Sequence, residues 1–189
     1  TVLLDLRLPL PTLRSGLEGK WRNRLIKALS NEQIRVQVQP SLKRCAWLLG
    51  KELDQREAKK FHGLPTDFVK AYIATATATD SRQTFAVAHA ELGKSTIAGM
   101  LFLIHGRVAS YHMGWADEQG RQLNAHNVLL WKTMAYLQDM GIELLDLGGV
   151  NTHDLPGISR FKLGTGLSDA DRADRIAQEA RDDRSEERR

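Results

Sequence analysis

The segment from Thr84 to Leu147 constrains the fold most, because its hydrophobic pattern changes period within some sixty residues. Thr84 to Ala90, Ile97 to Ile104 and Val108 to Trp115 are three runs of strand-forming residues. Gly93-Lys94-Ser95 and His105-Gly106-Arg107 separate them, and connections this short make hairpins. Three strands joined in this way form an antiparallel meander. A loop around Asp117 to Gly120 then leads into a helical repeat from Ala125 to Met140, with Asn124 as its cap and Gly141 as its stop. Glu143 to Leu147 follows as a buried strand. A helix followed at once by such a strand places it in the sheet of the meander, parallel to one member. The expected class is α/β in the mixed, α+β sense: a central, mostly antiparallel sheet flanked by helices.

The first third is basic and less regular. Leu13, Leu17, Trp21, Leu25 and Leu29 recur four apart and predict one helix over residues 10 to 29. Ile34 to Val38 alternates like an edge or half-buried strand. Helices are expected from about Leu42 to Lys60 and from Asp67 to Ala76, with a short strand at Val2 to Leu6. The net charge of +4 is unevenly spread, with about +7 on residues 1 to 62, about −1 on 63 to 166 and about −2 beyond. Lys20, Arg22, Arg24 and Lys27 form a positive patch that suits either a phosphate-bearing ligand or plain solvation. No DNA-reading motif accompanies it, so sequence-specific DNA binding is not expected.

Residues 168 to 189 are nearly devoid of apolar side chains and read as a charged tail, disordered or an exposed helix. The remainder, 1 to 167, reads as a single domain. Cys45 is the only cysteine; it excludes an internal disulfide, and it reads as filling a helix face. The histidines lack metal-ligand spacing, so no metal is expected. No phosphate-cradling Gly-rich loop and no nucleophile elbow is present. No apolar run is long enough to span a membrane, and no secretion-signal pattern opens the chain, so the expected location is cytoplasmic. The chain starts at Thr1 rather than at a methionine, which reads as a segment of something longer.

Chemistry concentrates near the end of the last strand. Asp146-Leu147-Gly148-Gly149 opens a glycine loop, and Arg160-Phe161-Lys162-Leu163-Gly164 follows about a dozen residues later. Such a loop at the carboxyl edge of a sheet is where α/β proteins place ligands. Gly148 and Gly149 fit either a close ligand approach or a simple bend. In an extended backbone Arg160 and Lys162 share a side and can grip a phosphate or carboxylate.

These segments, with Lys20 to Ala28 and Asn124 to Lys132, resemble the Fem family. This is the non-ribosomal peptidyltransferase branch of the GNAT acyltransferase superfamily. The resemblance implies a GNAT-like fold, similar to the second of two tandem domains, with the basic helix as the connector and a GNAT-like domain preceding it. It implies transfer of an acyl or aminoacyl group to an amine, on a small molecule or a cell-wall precursor. The implied donor is acyl-coenzyme A, such as acetyl-coenzyme A, or aminoacyl-tRNA. Donor- or substrate-binding residues would be Lys20, Arg24, Asn124, Asn127, Gly148, Gly149, Arg160 and Lys162. Two departures stand out. Arg121-Gln122-Leu123-Asn124-Ala125-His126 lacks the glycines of the coenzyme A pyrophosphate loop, and the charged tail occupies the place of the family's final apolar strands. A catalytically degenerate binding or structural domain is the alternative.

Acyl transfer to an amine needs a neutral nucleophile, a polarised carbonyl and a route for the proton. Backbone N–H groups in a bulged strand near His112 to Trp115 can polarise the carbonyl. Asp146, His112 and Asp154 are the candidates for taking the proton. The favoured reading of Asp146 is a carboxylate that receives N–H groups of the following loop, and that of His112 a half-buried strand histidine, with direct chemistry as the alternative for each.

Overall fold

The computed structural model describes residues 1–59, 65–79, 83–150 and 156–166. The charged tail, His153 and Asp154 lie outside the described residues. Along the chain the elements are β1 (Leu3–Asp5), α1 (Leu10–Gly16), α2 (Gly19–Leu29), β2 (Ile34–Gln39), α3 (Leu42–Lys59), α4 (Thr66–Thr79) and β3 (Phe85–Leu92). They continue with β4 (Ser95–His105), β5 (Val108–Ala116), α5 (Glu118–Gln122), α6 (Ala125–Asp139), β6 (Leu144–Asp146) and α7 (Pro156–Leu163).

Six strands form one sheet in the order β1-β6-β5-β4-β3-β2. All neighbours are antiparallel except β5 and β6, which run parallel. The meander is β3-β4-β5, turned at Gly93 and Gly106, both with the positive φ that tight hairpins require. Helices cover both faces, so β3 and β4 are apolar on both sides rather than alternating. On one face Ala86, Ala88, Met100 and Phe102 pack with Leu129, Met134 and Leu137 of α6 and with Trp21 and Leu25 of α2. On the other, Val87, Leu101, Leu103 and Met113 pack with Cys45, Leu48 and Leu49 of α3 and with Val69 and Ile73 of α4. Burial in that layer pushes the Cys45 thiol up to about 11, so it stays a protonated apolar filler.

The far edge of the sheet is closed by the N-terminus. Leu3, Leu4 and Asp5 face Asp146, Leu145 and Leu144, while Val2, Leu4 and Leu6 bury themselves in the α6-side core. Backbone bonds from Leu6 N–H to Glu143 O (2.7 Å) and Leu147 N–H to Val2 O (2.9 Å) extend the pairing at both ends. This edge strand precedes the rest of the sheet in sequence.

Several boundaries differ from the sequence expectation. Residues 10 to 29 form two helices, not one, because Leu17 is extended (φ −65°, ψ 138°) and Glu18 N–H turns to Gly164 O at 2.9 Å. The apolar stripe survives the break, since Leu13, Leu17, Trp21 and Leu25 are all buried, but Leu29 is exposed and Ala28 buried in its stead. The segment after Asp117 is α5 rather than a loop, with the Asp117 carboxylate accepting the Gly120 N–H at 2.7 Å. Asn124 does not cap α6 through its side chain; it takes a left-handed conformation (φ 54°) and its carbonyl accepts the Asn127 N–H. At the other end Gly141 (φ 75°) stops α6 as expected. Gly141 N–H bonds Gln138 O and Ile142 N–H bonds Leu137 O, the paired bonds of a Schellman motif.

The joint between α5 and β4 yields a direct check. A Cβ on Gly120 would stand 2.3 Å from the Ile97 carbonyl oxygen, which is itself held by the Asp117 N–H at 3.0 Å. Neither backbone can yield without breaking that bond. Gly120→Ala is expected to cost about 3 kcal/mol in urea denaturation, at the upper end of overpacking penalties; unchanged stability would mean that α5 does not seat against β4.

Candidate functional site

β5 and β6 stay paired for only three positions, Val108 with Leu144, Ala109 with Leu145 and Ser110 with Asp146. Past Asp146 the chain turns to the N-terminal segment, where Val2 N–H bonds Gly148 O at 3.2 Å. β5 runs on through Ala116 with no strand on its outer edge among the described residues. Its inner edge is irregular as well. Tyr111 faces Phe102 and Met113 faces Leu101, so His112 is the extra residue of a β-bulge. The result is a splay between diverging parallel strands, where side chains reach the β5 backbone, His126 at Trp115 O and Arg121 at Ala116 O.

On the α6 side, the splay is bordered by Tyr111, the glycine loop and α7. The Tyr111 ring lies 5.8 Å from that of Phe102, and burial raises its phenol well above the ordinary value, so it keeps its proton. Lys162 Nζ donates to Gly149 O at 2.9 Å and sits 5.8 Å from the Tyr111 ring centroid. Burial lowers the Lys162 pKa and the charge of Asp146 opposes that shift. Asp146 Oδ1 accepts the Gly148 N–H at 2.7 Å and the Thr1 hydroxyl at 2.8 Å. Its carboxylate therefore receives the loop N–H. Gly148 has φ 78°, and an added Cβ would lie 3.5 Å from Lys162 Nζ. The two glycines thus serve a bend that also brings the loop against a cation.

Arg160 and Lys162 do not share a side. Pro156–Leu163 is a helix, so residues two apart diverge: Arg160 is exposed while Lys162 reaches the loop. The extended reading fails because Ser159 and Phe161 pack inward from a helix that starts at a proline. Phe161 lies between Trp21 (5.9 Å) and His126 (6.1 Å), and the Trp21 indole donates to Phe161 O at 3.0 Å. His126 closes this side by donating Nε2–H to Trp115 O, 3.1 Å away on β5. Burial lowers its pKa, the Trp115 bond raises it and Arg121 lowers it, so the ring is neutral with Nδ1 as acceptor.

The opposite side belongs to α3. Trp47 stacks edge-on against Trp115 at 5.4 Å, and Lys51 Nζ stands 5.3 Å from the Trp115 ring centroid. His112 is half-buried here; burial lowers its pKa, Glu52 raises it and Arg56 lowers it. The charges that His112 senses come from α3, and Asp146 is not among them. Asp146 and His112 therefore border the splay as separate groups, not as a dyad.

The remaining expected residues are dispersed. Asn124 and Asn127 open α6, and Asn127 is buried with no partner for its side-chain N–H2. The first-turn N–H groups of a helix lack intrahelical acceptors, so this end is rich in donors. Lys20 and Arg24 stand exposed one turn apart on α2, and the bonds joining α2 to α7 run through Trp21 and Glu18 instead. Tyr111, His126 and Phe161 were not singled out from sequence. The bulge expected near His112 to Trp115 is present, with His112 inserted between the residues that face Phe102 and Leu101. Among the described residues, no three His, Cys, Asp or Glu side chains are placed to hold a metal ion, and no helix is long and apolar enough to cross a membrane.

Comparison with known proteins bears on the fold. A family model described as an acetyltransferase (GNAT) domain matches residues 19–167. The crystal structure of FemX superposes with a TM-score of 0.70 at 14% identity, covering 89% of this chain and 58% of that one. The C-terminal domain of a putative lysylphosphatidylglycerol synthetase from Agrobacterium fabrum gives 0.59 at 13% identity, covering 88% and 56%. An aminoglycoside acetyltransferase from an uncultured soil metagenomic sample gives 0.51 at 12% identity, covering 71% and 88%. The chain thus spans a little over half of the first two structures. No curated protein sequence matches it.

The histidines make stability depend on pH. His89, His112 and His126 all have pKa values lowered by burial, so below the ordinary 6.5 the unfolded chain takes up protons that the fold refuses. Stability should be full above that value and fall as pH drops toward the folded pKa values, by up to about 1.4 kcal/mol per pH unit for each group. In urea titrations at stepped pH, His126→Gln should flatten this dependence; an unchanged slope would contradict burial of that imidazole.

Proposed function

The chain belongs to the GNAT acetyltransferase family, and from that premise we propose that residues 1–167 form a GNAT-like domain that transfers an acyl or aminoacyl group to an amine at the splay between β5 and β6. The observation that carries the proposal is the short β5–β6 pairing followed by the bulge at His112. Together they leave outer-edge backbone groups of β5 beside titratable side chains, where a carbonyl can be received and polarised. A fully paired strand would offer neither.

The parts take the following roles. The donor enters from the α6 side, where the opening turn of α6 with Asn124 and Asn127 presents N–H groups to its phosphate. The left-handed Asn124 stands where glycine is usual, so the missing glycines do not by themselves bar a phosphate. Acyl-coenzyme A and aminoacyl-tRNA both carry phosphate and an activated acyl carbon, and both remain donors under this reading. Lys20 and Arg24 add positive potential on α2 at longer range. Lys162 and Asp146 hold the Gly148–Gly149 loop against the cleft. His112, neutral near pH 7, takes the proton released by the attacking amine, and the protonated Tyr111 phenol is suited to donate toward the leaving group. The acceptor is an amine-bearing small molecule, and Arg160, exposed on α7, lies on the approach to it.

Calorimetry of the chain against coenzyme A and against a minimal aminoacyl-RNA stem separates the two donors. Binding of one is expected, together with donor-dependent acylation of an amine, lowered about tenfold or more by Lys162→Ala, the loss of one charge-assisted contact. Binding of neither, with no acylation from either donor, would leave a non-catalytic domain and overturn the proposal.

A further inference from the structure

α3 carries a charged residue where its buried stripe calls for an apolar one. Cys45, Leu48 and Leu49 point into the sheet, and the next position on that stripe is Glu52, 7% exposed. Arg56, one turn on, donates to Glu52 Oε1 through Nε at 2.6 Å and stands 2.5 Å from it through a terminal nitrogen. Glu52 Oε2 is buried and has no hydrogen-bond partner. A buried carboxylate oxygen left unpaired is costly, and an apolar side chain of similar size would pack without that cost. Fold stability gives no reason for it.

Its place supplies one. α3 packs across β3 and β4 onto β5: Arg44 pairs with Glu91 of β3, Trp47 and Leu48 lie over Gly99 of β4, and Lys51 lies over Trp115 of β5. Glu52 and Arg56 come next along the helix, beside the bulge residue His112. The carboxylate therefore borders the splay on the side opposite the α6 terminus.

We infer that Glu52 is the acceptor-binding group: its free Oε2 receives the acceptor amine as an ammonium ion, on the α3 face, next to His112. The inference rests on the acyl-transfer reading and adds the chemical class of acceptor, a cationic amine, and its side of entry. Arg56 neutralises one oxygen and fixes the carboxylate, leaving the other to select a cation. In the reaction the bound ammonium first loses one proton to solvent, and the nitrogen lone pair then forms the C–N bond as the second proton passes to His112. The carbonyl carbon's bond to the donor sulfur or oxygen breaks, the departing thiolate or alkoxide takes the Tyr111 phenol proton, and solvent returns the proton held by His112 to the phenolate. Glu52 is unchanged and acts by positioning.

The test compares putrescine with 1,4-butanediol, which has the same carbon chain and no charge. In the wild-type chain, putrescine should shift the NMR resonances of the His112 ring and lower its pKa, as an added cation requires, while butanediol does neither. The His89 ring, fully buried and beside Arg44 and Glu91, is the internal control. Glu52→Gln keeps the Arg56 contact through its amide oxygen; it should weaken putrescine binding about tenfold or more and leave donor binding unchanged. If the wild-type His112 ring ignores putrescine, or a folded Glu52→Gln chain binds it equally well, the inference is overturned while donor binding still stands. If neither donor binds yet putrescine binding still depends on Glu52, the transfer reading fails and the cation site survives.

Discussion

Beyond Ser110 the outer edge of β5 faces no strand among the described residues, while the chain after Asp146 stays bonded to the N-terminal segment. Parallel strands can part in this way only if each finds another partner for its backbone groups. β6 finds β1, and β5 keeps β4 on its inner edge. His126 reaches Trp115 O on β5, and Arg121 reaches Ala116 O. That division opens the splay, and Tyr111, His112, Asp146 and Lys162 border it.

The splay also separates two chemical environments. Toward α6 the boundary is made by Tyr111, Phe161 and Lys162, anchored through Trp21 on α2. Toward α3 it is made by His112, Glu52, Arg56 and the Trp47–Trp115 pair. Two ligands approaching from opposite faces would meet at one strand edge, which is the geometry that transfer between two molecules requires. Two of the buried polar side-chain groups without partners, Asn127 and Glu52, lie one on each side. Each costs stability unless something outside the fold pairs with it.

Much of the fold could be read directly. The strand-forming runs joined at Gly93 and Gly106, the long helix ended by Gly141 and the parallel last strand all follow from local pattern, and each is set by contacts close in sequence or by burial on both faces. What could not be read depends on distant partners. The break at Leu17 is fixed by Glu18 N–H bonding Gly164 O, while the apolar spacing runs on undisturbed across it. The closing role of β1 depends on β6, some 140 residues away. The helical state of Arg160 to Lys162 had one local sign, Pro156 at a helix start, which the basic composition obscured. In the site, the Asp146–Gly148 contact is short-range and was legible. The position of His112 against α3 was not, because it depends on how α3, distant in sequence, packs across β5. Glu52 did leave a trace, a carboxylate four residues after Leu48 on the buried stripe of α3 and four before Arg56.

Amide hydrogen exchange over Val108 to Ala116, with and without the donor that calorimetry identifies, tests most directly whether the splay is where chemistry occurs. Slowed exchange at the outer-edge amides of Tyr111 to Ala116, with Leu101 to Leu103 on β4 unchanged, is the expected result. Protection confined to the basic face of α2, with the β5 amides exchanging as before, would contradict it and place the donor elsewhere.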